Sequence, residues 1–266
     1  MTATGTALLE QLVGDLEAEC ADLDARVAPL EPAAWSTPTP AVGWDIRDTI
    51  NHLAFFDADA RLAVTDPDAF TALVQRVFAD GGDYVEQRTL EGRALEPAAV
   101  LDRWRTGRAE LAAALRGVEP GVRVPWFGPP MSPASFVTAR LMETWAHGQD
   151  VVDALGQQRP ATSRLREVAE IGYRARQFSY AARGATMPEA PVRLELTGPD
   201  GQSWTWGPPE AADVISGPAL DFCLLVTQRR HRDDVALTVR GAAAQEWARI
   251  AQAFAGPPGA GREPLR

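Results

Sequence analysis

Residues 132–156 read SPASFVTARLMETWAHGQDVVDALG, and the scaffold is decided there. Ser132 followed by Pro133 is a strong helix start, because a serine hydroxyl caps orphan amides and proline at the first helical position gives up no hydrogen bond. The spacing predicts a helix through Glu143, His147 and Asp150 to about Leu155, with Gly156 placed to stop it. Residues four apart share a helical face, so Glu143 and His147 point the same way and can grip one metal ion.

Upstream, residues 43–60 read GWDIRDTINHLAFFDADA, within a second helix expected from about Trp44 to Val64. His52 has Phe55 and Phe56 at the next turn, so it faces packed surroundings and stands as a third ligand. Two imidazoles and one carboxylate suit zinc, nickel or iron(II), and three protein ligands leave positions for water or substrate, as catalytic sites do. Further helices are read at 6–28, closed by Pro29 and Pro32, and at about Ala98 to Leu115. Four long helices make a bundle, a scaffold whose core hosts metal sites built from facing helices. Between Thr65 and Pro97 the pattern weakens to a helix near Ala69 to Phe78 and a loop, ADGGDY. An aromatic, proline-rich loop, VPWFGPPMS, precedes Ser132.

After Pro160 the pattern changes. One more helix is read at 163–183, and then VRLELTGPDGQSWTW alternates Val192, Leu194 and Leu196 against Trp204 and Trp206 around a Gly-Pro-Asp-Gly turn, which is a hairpin signal. A helix from about Pro218 to Arg229, a strand at 235–239, a helix from Ala242 to Phe254 and a turn-rich GPPGAGR follow. The expected class is therefore α+β in two domains, a helical bundle over 1–160 and a smaller α+β domain over 161–266.

Composition excludes several functions. Net charge is −10 and the pI about 4.9, so no basic surface awaits nucleic acid or anionic lipid. All 26 cationic side chains are arginine, which rules out Schiff-base catalysis, a P-loop lysine and a lysine general base. Cys20 and Cys223 are far apart and lack a CxxC partner, which fits a reducing compartment and two buried apolar side chains better than a disulfide. The start MTATGTALLEQL lacks a basic segment and a long apolar run. The expectation is a cytoplasmic protein with no membrane or nucleic-acid partner.

Taken singly, each ligand candidate has an ordinary alternative: a core histidine beside phenylalanines, or a local Glu/His helix contact. Asp150 is either an orienting partner of His147 or a solvated acid. Trp44, Trp126 and Trp145 either rim a pocket or pack the core. His231, among Arg229, Arg230, Arg232, Asp233 and Asp234, reads as part of a polar turn.

The segments GWDIRDTINHLAFFDADA and ETWAHGQDVVDALG resemble the two signature segments of the mycothiol-dependent maleylpyruvate isomerase family, within the DinB-like metal-binding superfamily. The stretch DVISGPALDFCLLVTQRRHRDD and the following AQEWARIAQAFAGPPG resemble the carboxy-terminal domain that accompanies some of these proteins. The whole chain is most similar to an actinobacterial branch of metal-binding proteins. This resemblance implies a DinB-like four-helix bundle whose metal is held by His52, Glu143 and His147, with a smaller domain of maleylpyruvate-isomerase type. It also implies an arginine of the smaller domain facing the metal, at Arg229 in preference to Arg230. The family usually carries glycine before that arginine, where Gln228 stands here.

The function expected from this resemblance is a thiol-dependent transferase or isomerase using a divalent metal, zinc first and nickel or iron next. Mycothiol would be the cosubstrate and a small electrophilic, anionic molecule the substrate. The metal would lower the pKa of the bound thiol, and Arg229 would hold an anionic substrate group, its planar fork matching a carboxylate. Two alternatives stay open: a metal-dependent hydrolase using bound water, and a metal- or ligand-binding protein without turnover.

Overall fold

The computed structural model of the chain describes residues 2–81, 83–119, 121–259 and 261–265, with side chains from residue 5 onward. Gly82 within ADGGDY and Ala260 within GPPGAGR lie outside the described residues. The chain divides into two compact units, residues 1–158 and 159–266. Among the described residues, no helix is long and apolar enough to cross a membrane.

Among the described residues, the first unit holds six α-helices: α1 (Thr2–Val27), α2 (Ile46–Thr65), α3 (Pro67–Asp80), α4 (Tyr84–Arg93), α5 (Pro97–Arg116) and α6 (Pro133–Ala154). Helices α1 and α2 each pack against both α5 and α6, which makes these four a bundle. Its interior is filled by Leu12, Leu23, Ile50, Leu53, Trp104, Leu111, Val137 and Leu141. Sealing a leucine- or isoleucine-sized side chain from water contributes roughly 1.5–3 kcal/mol.

Helix α6 starts as its sequence dictates, with the Ser132 hydroxyl accepting from Ser135 N at 3.2 Å. Gly156 adopts φ 61° just past its end, a left-handed conformation that costs glycine little. Helix α2 starts two residues later than its expected Trp44. A capping box sets this boundary: Asp45 accepts from Asp48 N at 2.8 Å while Asp48 accepts from Asp45 N at 3.3 Å.

Helix α4 was not apparent in the sequence, because YVEQRTLEGR is polar on nearly every face. Its N-terminus is capped by Asp83, and at its far end Gly92 lies against Asn51 of α2, where a Cβ would come within 2.3 Å of the Asn51 side chain. Asn51 Nδ2 donates to Arg88 O at 3.0 Å. Contact with α2, rather than its own periodicity, defines this helix.

Among the described residues, the second unit carries α7 (Leu165–Arg174), α8 (Arg176–Ala181), α9 (Ala219–Val226), α10 (Ala242–Ile250) and four strands, β1 (Val192–Thr197), β2 (Ser203–Trp206), β3 (Asp213–Pro218) and β4 (Thr238–Arg240). The hairpin forms in the register its alternation implies, Leu194 opposite Trp206 and Leu196 opposite Trp204. The sheet order is β2-β1-β3-β4, with β3 parallel to β1 and antiparallel to β4. The single helix expected over 163–183 is two helices separated at Ala175, so that α7 packs on α9 and α8 on α10.

Candidate metal centre

Three side chains converge at one place in the first unit. His52 of α2 and Glu143 and His147 of α6 each offer one ligand atom, and these atoms all lie within 4.8 Å of one another. His147 Nε2 stands 3.4 Å from Glu143 Oε2, and the two imidazole centroids are 4.5 Å apart. Both histidines are 8% exposed, whereas Glu143 keeps some access to solvent. The four-residue spacing on α6 sets one edge of this triangle, and packing of α2 against α6 supplies the other two.

Helix α2 is anchored at its N-terminal end, ahead of His52. Arg93 donates from Nε and Nη2 to the Asp48 carboxylate at 3.0 and 2.7 Å, and from Nη2 to Gly43 O at 2.7 Å. Trp44 N donates to Ala41 O and Thr39 N to Trp44 O, with Gly43 at φ 80° making the turn. That turn lays the Trp44 ring against both imidazoles, at 4.9 Å from His52 and 5.9 Å from His147. Of the three tryptophans singled out in the sequence, Trp44 is the one placed against the two imidazoles by these contacts. Trp126 stacks on Phe70, and Trp145 is buried in the bundle.

The surroundings are aromatic. Phe55 and Phe56 meet His52 edge-on at 5.2 and 4.8 Å, and Phe56 joins a cluster with Tyr84, Trp126 and Phe127. Tyr84 arrives on α4 and was missed with it. Its hydroxyl donates to Asp59 at 2.9 Å. Burial, with the Asp59 carboxylate beside it, pushes that phenol well above its usual range. Burial also raises the Asp59 carboxyl, against the Tyr84 hydrogen bond that lowers it.

Asp150 is fully buried, and its Oδ2 lies 3.5 Å from His147 Nδ1. It is not a solvated acid. A carboxylate facing Nδ1 favours the tautomer that leaves the Nε2 lone pair on the Glu143 side. The donor set fits a divalent ion of borderline softness, offering two imidazole nitrogens and one carboxylate oxygen on rigid helices.

The remaining sequence candidate, Arg229, belongs to the second unit. It follows α9, with its backbone N–H donating to Leu224 O at 2.8 Å and Nη1 to Thr227 O at 2.8 Å. Gln228 before it takes φ 58°, the left-handed conformation for which glycine is the usual residue at the end of a helix. Both cysteines are buried, and desolvation chiefly raises them, Cys20 to about 12 and Cys223 well above its usual value. Neither is a thiolate near neutral pH.

A helical bundle carrying a His/Glu/His trio with both imidazoles buried, joined in sequence to a small α+β unit, is the class that fold and site define. Residues 16–152, just over half of the chain, match the profile of the mycothiol maleylpyruvate isomerase N-terminal domain, and residues 188–240 match one described as wyosine base formation. The crystal structure of the mycothiol-dependent maleylpyruvate isomerase superposes with a TM-score of 0.60 at 17% identity, covering 87% of this chain and 92% of that one. A histidine-to-alanine mutant of that enzyme gives 0.58 at 18%, covering 86% and 92%. Uncharacterized proteins from two strains of Mycobacterium tuberculosis are 49% identical over 250 residues, 94% of this chain and 97% of theirs. The chain belongs to the mycothiol maleylpyruvate isomerase family, a family of enzymes.

Proposed function

We propose that the protein is a cytoplasmic, divalent-metal-dependent enzyme that uses a low-molecular-weight thiol, mycothiol, to isomerise or transfer onto a small anionic electrophile. The observation that carries this reading is the convergence of His52, Glu143 and His147 donor atoms within 4.8 Å, in a chain whose family is named for a mycothiol enzyme. The trio belongs to the DinB-like bundle, and residues 159–266 form the accompanying domain. Zinc suits the donors best, with nickel and iron(II) next. When bound, such an ion supplies Lewis acidity that lowers the pKa of a coordinating thiol.

The chain's own groups do the rest. His52 and His147 donate neutral imidazole lone pairs, Glu143 supplies the one negative charge, and Asp150 fixes the orientation of His147. Trp44 and the Phe55/Phe56 pair restrict water on the imidazole side, which strengthens electrostatic interactions at the site. Cys20 and Cys223 are too buried and too weakly acidic to serve as nucleophiles, so the reacting thiol comes from outside. Arg229 takes the anionic end of the substrate, since a guanidinium fork pairs with a carboxylate in two parallel hydrogen bonds.

The test is spectroscopic. Cobalt-substituted protein titrated with mycothiol is expected to change its ligand-field spectrum and release a proton as sulfur coordinates. Arg229→Ala is expected to leave that change intact while raising KM for the anionic electrophile. An unchanged spectrum at saturating mycothiol rejects the thiol role, and hydrolysis or simple ligand binding then becomes the better account.

A further inference from the structure

The charge of this chain is unevenly divided. Residues 1–158 carry 12 arginines against 24 carboxylates, whereas residues 159–266 carry 14 against 12. Within the second unit, several of these arginines gather around one cavity of about 370 Å³. Arg183 reaches it from just beyond α8, Arg230 and Arg232 from the loop after α9, Arg249 from the last turn of α10 and Arg262 from the carboxy-terminal segment. Asp233 is the only carboxylate among the lining residues described.

The cavity is built rather than incidental. Arg183 Nη1 donates to Ser179 O at 3.0 Å and Gln252 Oε1 at 3.4 Å, and Arg232 Nη2 donates to Leu237 O at 3.0 Å. These neutral acceptors hold the Arg183 and Arg232 guanidiniums without cancelling their charge, and since a guanidinium has five N–H donors, both keep others for a ligand. His231 Nδ1 accepts from Asp233 N at 3.1 Å, which assigns the neutral ring's proton to Nε2.

Gln228, also in the lining, is the only non-glycine residue with positive φ among those described. Its side-chain Nε2 donates to Ala251 O at 3.2 Å, tying the end of α9 to the end of α10. The strained turn swings residues 230–233 around the cavity, and backbone strain of this kind persists where the surroundings hold it in place.

We infer that this cavity, lined by the second unit, is a binding site for a small polyanion, a molecule bearing a phosphate or several carboxylates. Every described lining residue belongs to residues 159–266, and none of the metal trio is among them. An acidic protein that concentrates arginine at one cavity matches multiply charged oxyanions, because guanidinium forks bind planar oxygen pairs in two parallel hydrogen bonds.

Isothermal titration of the full chain with glycerol phosphate and, separately, with tricarballylate tests the site. At least one of the two is expected to bind saturably and to weaken as salt rises, and the stronger of the two identifies phosphate or carboxylate chemistry. Arg249→Gln combined with Arg262→Gln is expected to weaken binding about tenfold or more. Arg249 is exposed at a helix end, so the fold is expected to survive, and an unchanged thermal melt verifies this. His52→Ala is expected to leave anion affinity unchanged. Absence of saturable binding for both anions, wild-type affinity in the double variant, or loss of binding in His52→Ala overturns the inference.

Discussion

Helices α2 and α6 hold two buried polar clusters, and the two differ in what completes them. Asp57 on α2 accepts from Arg140 Nε and Nη2 on α6 at 3.2 and 2.8 Å, with side chains only 2% and 4% exposed. Five residues earlier on α2 and a turn or two further along α6, His52 meets Glu143 and His147. The first cluster pairs a cation with an anion and is complementary to itself. The second assembles three electron-pair donors, a set complementary to a cation supplied from outside. One pair of helices therefore carries one self-complementary polar cluster and one that the proposed function assigns to chemistry, and the chemical difference between arginine and histidine sets them apart.

Removing a donor should have the largest effect on function and little on the fold. His52→Ala and His147→Ala are each expected to abolish stoichiometric divalent metal, read by elemental analysis of protein purified without a metal-binding tag. Acid should displace the ion as well, since a protonated imidazole has no lone pair to give. Full metal content in both variants would erase the distinction between the clusters.

The Asp57–Arg140 pair should behave in the opposite way. Arg140→Leu leaves a buried carboxylate uncompensated and is expected to cost about 3–5 kcal/mol in denaturant unfolding. Replacing both members, Asp57→Leu with Arg140→Met, should recover most of that loss, because the desolvation of two charges is removed together. A single-variant cost no larger than that of a surface pair would show that Asp57 is not held as a charge. Burial pushes its carboxyl up, against the Arg140 interactions that pull it down.

Asp150→Asn sharpens the comparison at intermediate strength. Metal affinity is expected to fall about 10- to 100-fold, with the three ligands intact. Competition with a chelator measures it. A neutral amide keeps the shape of the side chain but weakens its hold on the His147 Nδ1 proton.

The smallest effect is expected at a third, partly exposed cluster, where Arg105 and Arg108 both donate to Asp24. The hydrogen bond from Arg105 holds the Asp24 carboxyl below its usual value. Its stabilisation is therefore present above the ordinary carboxylate range and is lost as pH falls through the folded-state pKa. Asp24→Asn should cost about 0.2–1 kcal/mol at neutral pH, since solvent screens the pair. The variant should also flatten the acid limb of the stability–pH curve.

Each part of the molecule that the sequence determined by itself rests on short-range periodicity or local capping. Ser132–Pro133 starts α6, Gly156 closes it, Glu143 and His147 share its face, and the alternation of Val192, Leu194 and Leu196 fixes the hairpin register against Trp204 and Trp206. These follow from helical and strand geometry acting over a few residues. His52 stands as the third candidate from its own helix and its phenylalanine neighbours, and likeness to a known family supports joining it to the pair, which no local rule does.

The tertiary structure alone decided the rest. Helix α4 is too evenly polar to announce itself and forms because Gly92 lets it close on Asn51. Strand β3 sits between β1 and β4 through pairings with segments distant along the chain. Asp150 lies one turn beyond His147 whether it is solvated or buried, and only the packing of the bundle takes it out of water and makes it a partner of the imidazole. The cavity arginines are dispersed from residue 183 to 262, and no sequence pattern joins them. Local geometry fixes which way a side chain points, but which groups it meets depends on elements far away in the chain, because burial and pairing are properties of the packed whole.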